Sequence, residues 1–211
     1  MNIGICGGTF DPFHCGHLEP VLAVRVALRW DRVLYVPAFM QPFKTGRAAV
    51  SPFHRFAMTV VGTEGHEGLF VSSRELERGA VSYTVDTLEE LRSEHPDVTL
   101  DWIIGDDNLA QLTEWKSIER VLELANFAVL TRLSGAAEAL GAVPPSLRGR
   151  VVEASARPAH GAIVFAGNAT VPASSTEVRR RIRAGEPIDT LVPPAVSRYI
   201  HHYELYRKGP S

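Results

Sequence analysis

The sequence predicts an α/β fold built on a doubly wound, mostly parallel sheet, and three observations predict it. Short apolar or β-branched runs alternate with longer amphipathic ones along the 211 residues. The short runs are apolar almost throughout, as strands covered on both faces must be. The first of them ends in glycines that lead into a helix, which is how open α/β sheets form a ligand crevice beyond the carboxyl ends of their strands.

The elements follow in order. Residues 2–6 form the first strand, and helical spacing runs over 16–30. A second strand at 32–36, a helix at 52–63 and a third strand at 69–72 come next, then a helix at 84–95 in which Leu88 and Leu91 share a side ringed by Glu89, Glu90 and Arg92. Strands at 100–104 and 127–131 flank a helix at 118–125, and 162–165 is the last strand. Between 135 and 158 the chain is rich in Ala, Gly and Pro without a firm period, so one helix and connecting loops are expected. Ser174 or Ser175 can cap a helix through Val178 and Arg183 that ends near Gly185, and Pro193 can open another ending near His202. With no repeat and no long linker, residues 1–211 read as one domain with a small helical part from about 174.

Composition excludes several classes. The chain is 45% hydrophobic and 22% charged, typical of a folded water-soluble protein, and its formal net charge of −2 offers no overall field for nucleic acid or anionic lipid. No apolar run approaches the ~18 residues of a membrane helix, and no leader pattern opens the chain, so a cytoplasmic protein without nucleic-acid or membrane partners is expected, homo-oligomerisation being left open. Cys6 and Cys15 alone make no disulfide framework and are expected to be reduced.

The chemistry concentrates in residues 7–17, G-G-T-F-D-P-F-H-C-G-H. Gly7 and Gly8 let backbone approach an anion, Thr9 adds a hydroxyl, and the helix beginning near Gly16 offers unpaired N–H groups and a partial positive charge to phosphate. The dinucleotide fingerprint G-x-G-x-x-G is absent, the second strand runs into Pro37 rather than an acidic residue, and no Gly-Lys-Ser/Thr follows the turn, which sets aside an NAD-dependent oxidoreductase and a P-loop. His14 and His17, three apart, can lie together at the helix entrance and donate to a crowded phosphate. A transition-metal site would need three or four ligands, and only Asp11 and Cys6 are near them in sequence, so no protein-held metal is expected. Asp11-Pro12 reads as turn chemistry.

These residues resemble the signature of the nucleotidyltransferase superfamily with a His-x-Gly-His-type motif, which implies its Rossmann-like fold. Four further segments resemble the bacterial nicotinate-nucleotide adenylyltransferases, in that family's order: V-P-A-F-M-Q-P-F-K at 36–44, S-Y-T-V-D-T-L at 82–88, G-x-D at 105–107 followed by Trp115, and S-S-T-E-V-R at 174–179. Read physically, Lys44 can hold an ammonium against the β- and γ-phosphates of ATP, and Ser174, Ser175, Thr176 and Arg179 form a second polar helix start suited to phosphate. Asp107 follows a strand and should face the crevice, with Asp106 beside it solvated, while Trp115 is either a stacking platform or a core tryptophan. Tyr83 and Thr84 can cap a helix, with Asp86 in its first turn.

The resemblance implies roles for these positions. ATP is held by Gly7, Gly8, Thr9, Phe10, Asp107, Ser174, Ser175 and Thr176; transfer is promoted by His14, His17, Lys44 and Arg179; and nicotinate mononucleotide is met by Tyr83, Thr84, Trp115 and Arg132, with Mg²⁺ accompanying ATP. The chain departs from the family where Phe43 replaces a common histidine and Lys116 a common aromatic. The other readings are the same chemistry on another acceptor, such as nicotinamide mononucleotide or phosphopantetheine, and a nucleotide-binding module without turnover.

Overall fold

The computed structural model describes residues 1–41, 50–131 and 136–207. Six strands, β1 (Asn2–Gly8), β2 (Arg32–Pro37), β3 (Leu69–Val71), β4 (Thr99–Gly105), β5 (Asn126–Leu130) and β6 (Ile163–Phe165), form one sheet in the order β3-β2-β1-β4-β5-β6. Every pairing is parallel. The order reverses between β1 and β4, so their carboxyl ends open the crevice where ligands gather in such sheets.

Alternation along the strands explains why they read as continuously apolar. Ile3, Ile5, Leu100, Trp102, Ile104, Phe127 and Val129 point into one core with α4 (Thr84–Glu94) and α5 (Ile118–Leu124). Val33, Tyr35, Ile103, Ala128 and Leu130 point into another, with α1 (Cys15–Ala27), α2 (Pro52–Thr63), α7 (Ser175–Ala184) and α8 (Pro194–His202). Both faces are therefore dry, as the sequence implied.

The boundaries and connections carry the differences. β1 runs two residues past the expected Cys6, to Gly8, because Gly7 lies flat against the Trp102 ring: a Cβ at Gly7 would sit 2.5 Å from that indole. α1 stops at Ala27 instead of near Trp30, with Leu28 and Trp30 turned into the core and Arg29 in the left-handed region at φ +49°. A short helix absent from the sequence reading, α3 (Arg74–Arg78), is closed by Gly79 at φ +62°. The Ala/Gly/Pro-rich stretch holds α6 (Ala136–Gly141) and 3₁₀ turns at Pro145–Arg150 and Ala154–Ala156. Among the described residues no helix is long and apolar enough to cross a membrane.

Candidate active site

β1 delivers the chain to the crevice, and the loop after it is held from behind by two helices, α2 and α7. Arg55 of α2, 3% exposed, donates to the Thr9 carbonyl at 2.7 Å and the Phe39 carbonyl at 2.9 Å. Arg179 of α7 donates to the Asp11 carbonyl at 2.5 Å, and the Ser175 hydroxyl donates to the Pro12 carbonyl at 3.0 Å. Three carbonyl oxygens of the loop are thus taken up, two of them by guanidinium groups, which lowers the negative potential an incoming phosphate would otherwise meet. Phe10 sits in this loop at φ +50°, a conformation costly for a bulky residue and typical of functional turns. Its ring, 2% exposed and packed on Phe13, His17 and Tyr35, holds it there.

The loop ends in the entrance of α1. His14 is the N-cap in extended conformation, and its N–H donates to His17 Nδ1 at 3.3 Å. If neutral, His17 then carries its proton on Nε2. The two rings stack with centroids 3.6 Å apart, His14 buried and His17 half-buried, so the predicted pairing at the helix entrance is present. Close approach of α7 depends on Gly16, where a Cβ would lie 2.8 Å from the Ala173 carbonyl oxygen.

The second polar helix start abuts the first. Ser174 caps α7 by accepting from the Glu177 N–H at 3.2 Å, and Thr176 Oγ1 accepts from Arg179 Nη2 at 3.4 Å. The hydroxyls expected to meet phosphate therefore also build the scaffold. The Thr9 hydroxyl likewise donates to Gln41 Oε1 at 2.7 Å, tying the first loop to the one after β2. Lys44 and Arg132 lie outside the described residues.

At the end of β4 the expected exposure of Asp106 is corrected. Asp106, read as solvated, is 6% exposed, whereas Asp107 beside it is exposed. Residues 106–114 form a 3₁₀ helix, whose three-residue turn puts Asp106, Leu109 and Leu112 on one buried side and leaves Asp107 outside it. Asp107 remains at the carboxyl end of β4, beside the switch point.

The residues expected around the mononucleotide also converge. Trp115 is half-buried, edge-on to Phe127 at 5.7 Å, so part of its surface serves the core. Lys116 next to it stands over the Tyr83 ring at 4.4 Å and pairs with Asp86 at 3.0 Å, which brings the Trp115 turn against the start of α4. Tyr83 is the N-cap of α4, but no side chain caps this helix; the preceding Ser82 N–H instead donates to the Met40 carbonyl at 2.9 Å. Thr84 begins the helix and is half-buried.

Asp11 was read as turn chemistry, yet it is 9% exposed and accepts from the Tyr206 hydroxyl at 2.6 Å. Arg55 and Tyr206 escaped the sequence reading. Arg55 had one signal, a charge on the side of α2 that carries Met58, Thr59 and Gly62 into the core; Tyr206 had none, its partner being 195 positions away. Among the described residues no three His, Cys, Asp or Glu side chains cluster as a metal site.

A parallel sheet with this switch point and a paired-histidine helix entrance defines a nucleotidyltransferase. The cytidylyltransferase-like family model matches residues 5–181. A Thermoanaerobacter sp. protein named "Probable nicotinate-nucleotide adenylyltransferase" is 35% identical over 99% of this chain and 95% of its own length. A Roseiflexus sp. protein of the same name is 39% identical over 97% and 98% respectively. The chain belongs to the cytidylyltransferase-like family and, within it, to the nicotinate-nucleotide adenylyltransferases. Its fold matches that of the Plasmodium falciparum nicotinic acid mononucleotide adenylyltransferase complexed with NaAD, with a TM-score of 0.69 at 21% identity over 97% of each chain.

Proposed function

We propose that this chain joins ATP and nicotinate mononucleotide to give nicotinate adenine dinucleotide and pyrophosphate. The observation that carries this is the stacked His14–His17 pair at the entrance of α1, beside the switch point and backed by Arg179. A 5′-phosphate oxygen of the mononucleotide attacks the α-phosphorus of ATP in line, forming a P–O bond as the bond to the bridging α–β oxygen breaks. No covalent enzyme intermediate is required. Such transfer is accelerated chiefly by positioning and by charge stabilisation, which N–H donors at a helix entrance and nearby cations supply.

In this reading His17 and His14 donate to the phosphates of ATP, with Arg179 and Lys44 as further cations. Gly7, Gly8, Thr9, Phe10 and the Ser174–Thr176 turn shape the ATP side, and Asp107 meets its adenosine. Tyr83, Thr84, Trp115 and Arg132 form the mononucleotide side. Mg²⁺ would enter with ATP and supply charge neutralisation at its phosphates. The reaction runs in the cytoplasm.

The test is an assay of purified protein with MgATP and, in parallel, nicotinate or nicotinamide mononucleotide, following pyrophosphate and identifying the dinucleotide. Nicotinate adenine dinucleotide as the preferred product, with loss of turnover on chelation by EDTA, is expected. Calorimetric ATP binding without product from either acceptor would sink the proposal.

A further inference from the structure

Asp11 occupies the middle of the loop between β1 and α1, and two groups from the distal part of the chain reach it. Arg179 of α7 donates to its carbonyl at 2.5 Å and stands 3.8 Å from its carboxylate Oδ2. Tyr206, after α8, donates its hydroxyl to Oδ1 at 2.6 Å. Tyr206 arrives there through a turn with two left-handed residues, Glu204 at φ +51° and Tyr206 itself at φ +65°, a backbone that non-glycine residues adopt only when their surroundings require it. The phenol is largely buried, and both burial and the Asp11 carboxylate push its pKa upward, so it stays a donor across the working pH range. Arg55 adds positive charge to the same cluster, interacting with both Asp11 and Tyr206.

The arrangement has a direct consequence. A carboxylate beside the phosphate site repels phosphate unless its charge is held away and neutralised; at Asp11 the hydroxyl takes one oxygen, and the guanidinium faces the other and the backbone beneath. We infer that Tyr206 is a positioning residue for nucleotidyl transfer, its hydroxyl fixing the Asp11 carboxylate and through it the Arg179 guanidinium and the phosphate-side loop. The inference rests on the function proposed above, since it concerns the ATP half of that site.

Tyr206→Phe keeps the ring and removes only the donor. The expected result is a fall in kcat of about tenfold and a severalfold rise in KM for ATP, the scale of one hydrogen bond to a charged group. KM for the mononucleotide and Tm stay close to those of the unaltered chain. In an Asp11→Ala background, where the acceptor is gone, the same substitution changes kcat by less than about twofold, because coupled residues are not additive.

Unaltered kcat and KM for ATP, with or without a lower Tm, reduce Tyr206 to a packing contact and overturn the inference. So does a tenfold effect that persists in the Asp11→Ala background. Calorimetric ATP affinity, expected to weaken in Tyr206→Phe, makes the comparison without turnover, so absence of product from the unaltered chain removes the proposed reaction and leaves the positioning role to be judged on binding alone.

Discussion

His17 accepts a hydrogen bond from the N–H of His14 and lies against Phe10 and Phe13, so its ring orientation is settled before any ligand arrives. A donor pre-oriented toward developing charge is worth about a hundredfold or more in rate. His17→Ala should therefore lower kcat by at least that factor. The half-buried ring also makes aromatic contacts, so Tm should fall by a few degrees with folding intact. Stopped-time product assays beside a thermal melt test this, and a variant with near-normal kcat would remove His17 from the chemistry. The histidine pair was visible in the sequence because three-residue spacing at a helix start is a local property. The burial of Asp106 and exposure of Asp107 were not, since that depends on whether the following turn is α or 3₁₀, which Leu109 and Leu112 decide by entering the core.

At the scale of elements, the entrance of α1 and the lead-in to α7 touch through Gly16. Two effects oppose one another in Gly16→Ala. Helix propensity favours alanine by about 1 kcal/mol. The new Cβ would meet the Ala173 carbonyl oxygen at 2.8 Å and the His14 ring at 3.0 Å, and relieving overpacking against backbone costs about 1–3 kcal/mol. The close contact should win, giving a lower Tm together with lower kcat as α7 and its Arg179 move off the loop. A stabilised variant with full activity would show that the two helix starts are not wedged together. The helices and strands themselves were largely legible: α2 spans the expected 52–63, and all six strands lie within two residues of their expected bounds. α3 was missed because five residues closed by a left-handed glycine show too little periodicity.

The whole molecule is braced at the other end of the sheet by a buried charge. Asp101, fully buried in β4, accepts from Trp30 Nε1 at 2.5 Å, Asn126 Nδ2 at 3.0 Å and Arg157 Nη1 at 2.5 Å, and Arg157 also donates to the Leu28 carbonyl. Burial pushes the Asp101 carboxyl upward while these donors pull it back. This cluster joins the end of α1, two strands and the turn at Ala154–Ala156. Asp101→Ala leaves a guanidinium, an indole N–H and an amide without their acceptor and should cost about 3–5 kcal/mol, read from chemical denaturation. A loss under about 1 kcal/mol would show that the donors find other partners.

By itself the sequence determined the parallel α/β architecture, the candidate site at the first strand's carboxyl end and the class of chemistry, because strand burial on two faces, glycine turns and helix-start histidines all act between near neighbours. Only the tertiary structure decided which groups hold that site in shape. Arg55, Tyr206 and Arg179 meet the β1–α1 loop across 46, 195 and 168 positions of chain, and nothing in local periodicity records a contact made when distant elements pack.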